Sequence, residues 1–135
     1  LYKGGVIPMK EFVGMKRDRD ILVRIIVKKV PIHTVYLSQR NSATDFPVLT
    51  CAVGLEEKKV RIVIGARPQK AMLIEKELES SFKFKVEEVE ALAEEVQKLV
   101  PTGSNMRASA EYRSHLVKVL TKRALVQVEG DANEN

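Results

Sequence analysis

Residues 105–125 read NMRASAEYRSHLVKVLTKRAL, the last long segment of this 135-residue chain with a helical pattern. Ser109 is a suitable N-cap, and Glu111 then falls in the first turn, where a carboxylate meets the positive end of the helix dipole. Apolar side chains recur at steps of three and four residues, at Tyr112, Leu116, Val119, Leu120 and Ala124. The segment therefore predicts a capped helix that docks on an apolar surface, with Tyr112 and Leu116 as anchors.

The segments upstream of this helix supply strands. Residues 21–27, 33–38 and 60–64 are rich in β-branched side chains, which favour strands. Residues 48–53 are nearly all apolar, which is typical of a strand that is covered on both faces or central in a sheet. The polar turn between residues 48–53 and residues 60–64 favours an antiparallel hairpin of these two segments.

After residue 64 the hydrophobic period changes from two to 3.6, which indicates helices. We expect a helix over residues 68–78, with Pro68 in the first helical position and Ser80-Ser81 as its end. Valine and alanine positions predict a second helix over residues 86–100. Its other face carries five carboxylates, which we interpret as a solvated surface rather than as a catalytic pair: Glu87, Glu88, Glu90, Glu94 and Glu95.

Strands that precede helices favour an α+β fold over alternating βαβ units. We expect an antiparallel sheet of three or four strands with three helices packed on one face. The polar residues 129–135 are predicted to form a flexible tail.

Composition bounds the setting of the protein. No apolar run approaches the ~20 residues needed to span a bilayer, so no membrane span is expected. Cys51 is the only cysteine, which excludes an intrachain disulfide and favours a reducing, cytoplasmic setting. The net charge of +5 lies in residues 1–45, which carry nine Lys and Arg against four Asp and Glu. Such an excess suits nucleic acid, a phosphate-bearing cofactor, an acidic partner or simply a solvated face.

Side chains that could carry chemistry are scarce. His33 and His115 lack the spacing of metal ligands, and Cys51 lies inside an apolar strand, where a free cysteine is usually a core residue. Residues 65–68 join a strand to a helix, but they lack the repeated glycines of a phosphate loop. Aromatic residues make up 5% of the chain, too few for a base-stacking platform. These observations indicate a non-catalytic domain.

Several motifs of the chain together resemble one family of flavoproteins. They are Phe12-Val13-Gly14, Asp20-Ile21-Leu22-Val23-Arg24-Ile25, Ser38-Gln39-Arg40, Asp45-Phe46, Gly65-Ala66-Arg67-Pro68 and, the most specific, Arg107-Ala108-Ser109-Ala110-Glu111-Tyr112-Arg113-Ser114-His115-Leu116. The chain is similar to the C-terminal part of the FAD-binding medium subunit of molybdenum hydroxylases, such as carbon monoxide dehydrogenase and xanthine dehydrogenase. By this resemblance, residues 1–20 are the tail of a preceding FAD-binding domain, and residues 21–128 are the C-terminal domain.

The resemblance implies a role in electron transfer. In such enzymes a molybdenum large subunit oxidises the substrate, and an iron–sulfur small subunit carries electrons to FAD. The C-terminal domain would shield the isoalloxazine ring. The family's glycine-rich pyrophosphate-binding segments are absent from this chain, so we expect it to be a piece of a longer protein that is inactive and binds FAD weakly or not at all by itself.

Four residues are expected near the flavin from the resemblance. Leu22 and Tyr36 match positions that cover the ring, although family members often carry Lys where Tyr36 stands, so a packing or hydrogen-bonding role is expected for it. Arg40 and Asp45 are candidates for an ion pair near the ring edge, and Gln39 stands where the family usually has Arg. The alternative from another class is a non-enzymatic, basic nucleic-acid or protein-interaction domain, which would show steeply salt-dependent binding.

Overall fold

The computed structural model describes residues 1–16, 19–56, 58–78 and 84–133. These residues divide into two compact units, Leu1–Pro31 and Ile32–Asn135. The predicted helix end at Ser80-Ser81 and the last two residues of the predicted tail lie outside the described residues. None of the described helices is both long enough and apolar enough to cross a bilayer.

The first unit contains one short helix among its described residues, α1 (Met9–Gly14). The carboxylate of Asp20 is joined to the start of this unit, because it accepts hydrogen bonds from the backbone N–H groups of Lys3 and Gly4 at 2.8–3.1 Å. These donors, led by that of Lys3, hold the pKa of Asp20 below its ordinary value of 3.8.

The strand predicted over residues 21–27 is wrong. This segment forms no ladder with any described residue, and its apolar side chains are exposed, with Leu22 52% accessible. β-branched residues favour a strand only where a neighbouring strand supplies hydrogen bonds and cover. The segment therefore has the local preference for a strand without the partner that a strand requires.

The second unit is built on an antiparallel sheet, which has four strands among the described residues: β1 (His33–Gln39), β2 (Leu49–Glu56), β3 (Lys59–Gly65) and β4 (Met72–Glu77). Their spatial order is β1-β2-β3-β4, so each strand pairs with its neighbour in sequence. The predicted strands at residues 33–38, 48–53 and 60–64 are confirmed, and so is the hairpin between the last two.

The helix predicted over residues 68–78 is wrong, because this segment forms β4. Ile74 pairs with Ile62 of β3 and turns toward the core, while Leu73 pairs with Val63 on the opposite face. The apolar residues of this segment fit both periods, and the open edge of β3 decides between them by offering a full ladder of backbone hydrogen bonds. Pro68 accordingly lies in the β3–β4 loop and not in a first helical turn.

Two helices cover one face of the sheet, α2 (Val86–Leu99) and α3 (Ala110–Asn133). α3 lies on β1 and β2, and α2 packs against α3. The Oγ atom of Ser109 accepts the N–H of Tyr112 at 3.2 Å, which confirms the predicted cap. The α+β class with its antiparallel sheet and three helices is confirmed, but the third helix is α1 in the first unit.

The helix α3 differs from its prediction in two respects. It continues past Leu125 to Asn133, and Tyr112 is 44% exposed, so Tyr112 is not an anchor. The side chains that α3 buries are Arg113, Leu116, Val117, Leu120, Thr121, Ala124, Leu125 and Val128.

The core lies between these helices and the inner face of the sheet. Cys51 is fully buried there, as predicted, with its Sγ atom 3.8 Å from Oγ1 of Thr121. Burial raises the pKa of the Cys51 thiol to about 11. The thiol is therefore protonated at neutral pH, which suits a packing role.

The glutamate face of α2 is not simply solvated. The ammonium of Lys118 on α3 lies 3.0 Å from Glu90 and 2.8 Å from Glu94, and Lys122 also pairs with Glu90. The Glu95 carboxylate pairs with Lys76 of β4. These three carboxylates remain partly exposed to solvent, as predicted, and they also link α2 to its neighbours.

The ion pairs between α2 and α3 predict a weaker acid sensitivity for Lys118→Met. Hydrogen bonds from Lys122 and Lys118 lower the pKa of Glu90, and one from Lys118 lowers that of Glu94, below the ordinary 4.5. Unfolding restores the ordinary values, so this stabilisation is present above about pH 4.5 and is lost as the pH falls through the folded-state pKa values. Urea unfolding at a series of pH values between about 3 and 7 should show a flatter acid limb for the variant.

Arg123→Met is the matched control, since Arg123 is an exposed cation on the same helix. It should keep the acid limb of the unmodified chain. Equal pH profiles for Lys118→Met and the unmodified chain would contradict the coupling.

Candidate functional site

The sheet face opposite the helices carries an apolar row across all four strands. Tyr36, Ala52, Val63 and Leu73 are successive register partners from β1 to β4. Tyr36 is 61% exposed, and the other three are partly buried. We call this row the open-face row. At a strand spacing of about 4.8 Å, four strands make a strip roughly 14 Å long.

Two glycines lie on the same face of the sheet as the open-face row, Gly65 of β3 and Gly54 of β2. Gly65 pairs with Thr50, and a Cβ atom at position 65 would lie 2.5 Å from Oγ1 of Thr50. Gly54 is covered by the side chain of Ile32. A planar apolar group could therefore lie along the open-face row without meeting a bulky side chain at Gly65.

The loop between β1 and β2 follows Gln39, at the end of the strand that carries Tyr36 of the open-face row. Val48 N–H donates to the Gln39 carbonyl at 2.7 Å and closes the loop. Nη1 of Arg40 donates to the backbone carbonyl of Asp45 at 2.6 Å. The loop is thus folded back on itself by the guanidinium at its start.

In the predicted pair of Arg40 and Asp45, Arg40 acts through its charge, while the Asp45 carboxylate is bound directly by another cation. Nε of Arg107 donates to its Oδ1 atom at 3.1 Å, and the Phe46 N–H donates to the same atom at 2.7 Å. The Arg107 guanidinium also lies over the Phe46 ring, 5.3 Å from its centroid. These donors, led by Arg107, hold the pKa of Asp45 below 3.8, so this carboxylate is ionised at neutral pH.

A third arginine, Arg113 on α3, is buried behind this loop with 1% of its surface exposed. Its Nε donates to the carbonyl of Val48 at 2.9 Å, and Nη1 donates to the carbonyls of Gly103 and Ala108 at 2.7 and 2.6 Å. Its Nη2 donates to Oδ1 of Asn105 at 2.6 Å. Burial, and then the charge of Arg107, lowers the pKa of Arg113.

A fourth arginine, Arg67, ties the β3–β4 loop to the same region. Nη1 of Arg67 donates to the Pro101 carbonyl at 2.6 Å, and the Gly103 N–H donates to the Arg67 carbonyl at 3.2 Å. In this antiparallel sheet one end of the strands brings together the last residues of β1 and β3 and the first residues of β2 and β4. Arginine side chains therefore hold both the β1–β2 loop and the β3–β4 loop at this end of the sheet.

The four residues expected from the sequence are placed as follows. Leu22 belongs to the first unit, where it lines a cavity of about 790 Å³. In the second unit, Tyr36 lies on the open face of β1, and Arg40 and Asp45 contact each other through a side chain and a carbonyl in the following loop. Within the described part of the chain, no three His, Cys, Asp or Glu side chains are grouped to hold a metal ion.

Sequence reasoning missed Arg107 and Arg113 as parts of this region. Both lie in the most specific motif of the chain, so the signal was present. Their contacts reach Asp45 and Val48, more than sixty positions away in sequence, and local patterns carry no information about such pairs.

The family model described as the CO dehydrogenase flavoprotein C-terminal domain matches residues 34–128. Two solved structures share the fold. Quinoline 2-oxidoreductase from Pseudomonas putida 86 is 18% identical with a TM-score of 0.65, over 76% of this chain and 39% of that one. Carbon monoxide dehydrogenase from Hydrogenophaga pseudoflava, in a form lacking the Mo-pyranopterin moiety of the molybdenum cofactor, is 20% identical with a TM-score of 0.63, over 73% and 37%.

The chain thus spans less than two fifths of the length of each of these two chains. No curated protein sequence matches it. The family match extends from β1 to α3 and so includes the open-face row and the arginine contacts around Asp45.

Proposed function

Because the chain belongs to the CO dehydrogenase flavoprotein C-terminal domain family, we propose that it is the C-terminal domain of the flavoprotein subunit of a molybdenum-containing oxidoreductase. The family match over residues 34–128 carries this proposal, and the fold shared with quinoline 2-oxidoreductase and with carbon monoxide dehydrogenase supports it. Residues 1–20 would then be the tail of a preceding FAD-binding domain, and the domain proper would begin near residue 21.

The residues of the open face fit a flavin ring. An exposed tyrosine beside Ala52, Val63 and Leu73 offers an apolar strip long enough for a fused three-ring system. FAD, when bound, would accept electrons and pass them to an acceptor. The part of this chain would be to pack Tyr36 on the ring and to exclude water from it.

The loop after β1 fits the edge of such a ring. Arg40 presents a guanidinium at the end of the strand that carries Tyr36, and Asp45 is an ionised acceptor in the same loop. We propose Arg40 and Asp45 as polar contacts at the ring edge, acting as donor and acceptor. The assignment of Leu22 as a further flavin contact stays a prediction from the resemblance.

The rest of the enzyme would supply what this chain lacks. The sequence contains no glycine-rich pyrophosphate-binding segment, so another part of the subunit would hold the pyrophosphate of FAD. An iron–sulfur subunit would deliver electrons, and a molybdenum subunit would oxidise the substrate. The domain's own contribution is then to position and shield the flavin, not to bind substrate.

Tyr36→Ala in the intact flavoprotein subunit tests this function. Stacking on an aromatic ring contributes about 1–3 kcal/mol, so we expect FAD to bind about ten-fold more weakly or worse. The free energy of unfolding should change by less than about 0.5 kcal/mol, because the side chain is mostly exposed. Quenching of flavin fluorescence on titration into the apoprotein measures the affinity, and urea unfolding measures the stability.

Thr34→Ala is the matched control on the same strand and the same face of the sheet. It should leave the affinity for FAD unchanged. An intact subunit that purifies without FAD, or a Tyr36 variant with unchanged affinity, would count against the proposed flavin contact.

A further inference from the structure

Two loops of the second unit are joined by side chains rather than by a backbone ladder. One is the β1–β2 loop, residues 40–48, and the other is the segment before α3, residues 100–109. Arg107 contributes its Nε to the carboxylate of Asp45 and its guanidinium to the ring of Phe46. The carbonyl of Arg107 accepts Nδ2 of Asn41 at 3.2 Å. A single residue therefore contacts three positions of the opposite loop.

Arg107 is itself held from behind. Oδ1 of Asn105 accepts the N–H of Arg107 at 2.9 Å and Nη2 of Arg113 at 2.6 Å. The N–H of Asn105 donates to the Ala108 carbonyl at 3.0 Å, which closes a tight turn around Arg107. Since Arg113 is buried and fixed on α3, this chain of hydrogen bonds connects Asp45 to the core.

We infer that Arg107 is a positioning residue that fixes the β1–β2 loop, and with it Arg40 and Asp45, before the flavin binds. The geometry leads to this assignment because Arg107 holds the Asp45 carboxylate while Arg40 holds the Asp45 carbonyl. Asp45 is thus anchored at both ends by two different guanidinium groups. The part of the inference that concerns FAD rests on the proposed function.

Fixing the β1–β2 loop in advance should raise the affinity for a ligand that contacts it. A loop that is already fixed has no conformational freedom left to lose when a ligand arrives, and the affinity is higher by that amount. Without the Arg107 side chain, Asp45 would lose its cationic partner, and Phe46, which is largely exposed, would lose the group packed on its ring. The loop would then sample open states in which Arg40 and Asp45 are misplaced.

Hydrogen exchange on the intact subunit, with and without FAD, tests the inference. In Arg107→Met we expect the amides of Asp45 and Phe46 to exchange about ten-fold faster in the absence of FAD. The variant lacks the charge-assisted hydrogen bond that holds their loop closed in the unmodified chain. Amides of the core strands β2 and β3 should keep their protection, which a general loss of stability would not allow. The affinity for FAD should fall in the same variants in which the exchange rate of the loop amides rises.

The comparison of single and double variants makes the test specific. Arg107→Met and Asp45→Asn together should speed the loop's exchange no more than Arg107→Met alone, since both remove the same contact. Arg107→Lys should rescue part of the protection, and Arg123→Met, which removes an exposed cation of α3 far along the chain from this loop, should have no effect.

The outcomes separate the two proposals. Unchanged loop exchange in Arg107→Met would overturn the positioning role and leave the proposed flavin function intact. Faster loop exchange with an unchanged affinity for FAD would overturn the link between this loop and the flavin. Faster exchange spread evenly over the core would also overturn the assignment, since it would reduce Arg107 to a general stabilising residue.

Discussion

Arg113→Leu should lower the free energy of unfolding by about 4 kcal/mol, measured by urea denaturation. The guanidinium of Arg113 donates to three carbonyls, those of Val48, Gly103 and Ala108, and to the side chain of Asn105. Leucine would fill part of the space but leave these acceptors without their donors in a site that solvent barely reaches. Each buried acceptor left unpaired costs about 1–3 kcal/mol, and relaxation of the loop recovers some of that loss.

Two further variants define the cause of this effect. Arg113→Lys keeps the charge but cannot reproduce the fork of donors, so it should still cost about 2 kcal/mol or more. Arg123→Leu removes an exposed cation from the same helix and should change the stability by less than about 0.5 kcal/mol. A cost below about 1 kcal/mol for Arg113→Leu would show that the hydrogen bonds of this residue are replaceable.

The motif around Arg113 shows what local patterns can reveal. The cap at Ser109 and the helix that follows depend on residues within one turn, and both were predictable. The burial of Arg113 was not, because an arginine in a helix is expected to face solvent. Its acceptors come from β2 and from the preceding loop, so only the tertiary structure brings them together.

The two wrong element predictions have opposite physical origins. Residues 21–27 have the composition of a strand but no strand partner among the described residues, so local preference lacks the hydrogen bonds it needs. Residues 72–77 fit a helical period, but the free edge of β3 pairs with them. In both cases a neighbouring chain segment, and not the segment's own residues, determines the conformation.

The candidate site was predictable by resemblance more than by pattern. Tyr36 was named by its position in the resembling family and Arg40 and Asp45 from motifs, and the arginine contacts converge on the loop that holds Arg40 and Asp45. Their exact pairing was not predictable, since Arg107 competes with Arg40 for the Asp45 carboxylate from a distant part of the chain. The open-face row likewise depends on strand register, and the misassignment of β4 hid Leu73 from it.

Leu125→Ala should lower the free energy of unfolding by about 3 kcal/mol. Leu125 is fully buried in the contact of α3 with the core, and its loss removes apolar surface and leaves a cavity. The next residue provides a matched control, because Val126 is 57% exposed. Val126→Ala should change stability by less than about 0.5 kcal/mol, with alanine slightly favoured in a helix.

The same pair of variants tests where α3 ends. A helix that ended at Leu125, as the sequence pattern predicted, would place this residue in a frayed last turn, where truncation costs little. In the structure α3 continues to Asn133, and Val128, one turn later, is also buried, so Leu125 is packed from both directions along the helix. A cost for Leu125→Ala no larger than that of Val126→Ala would therefore contradict both the length of α3 and its packing on the sheet.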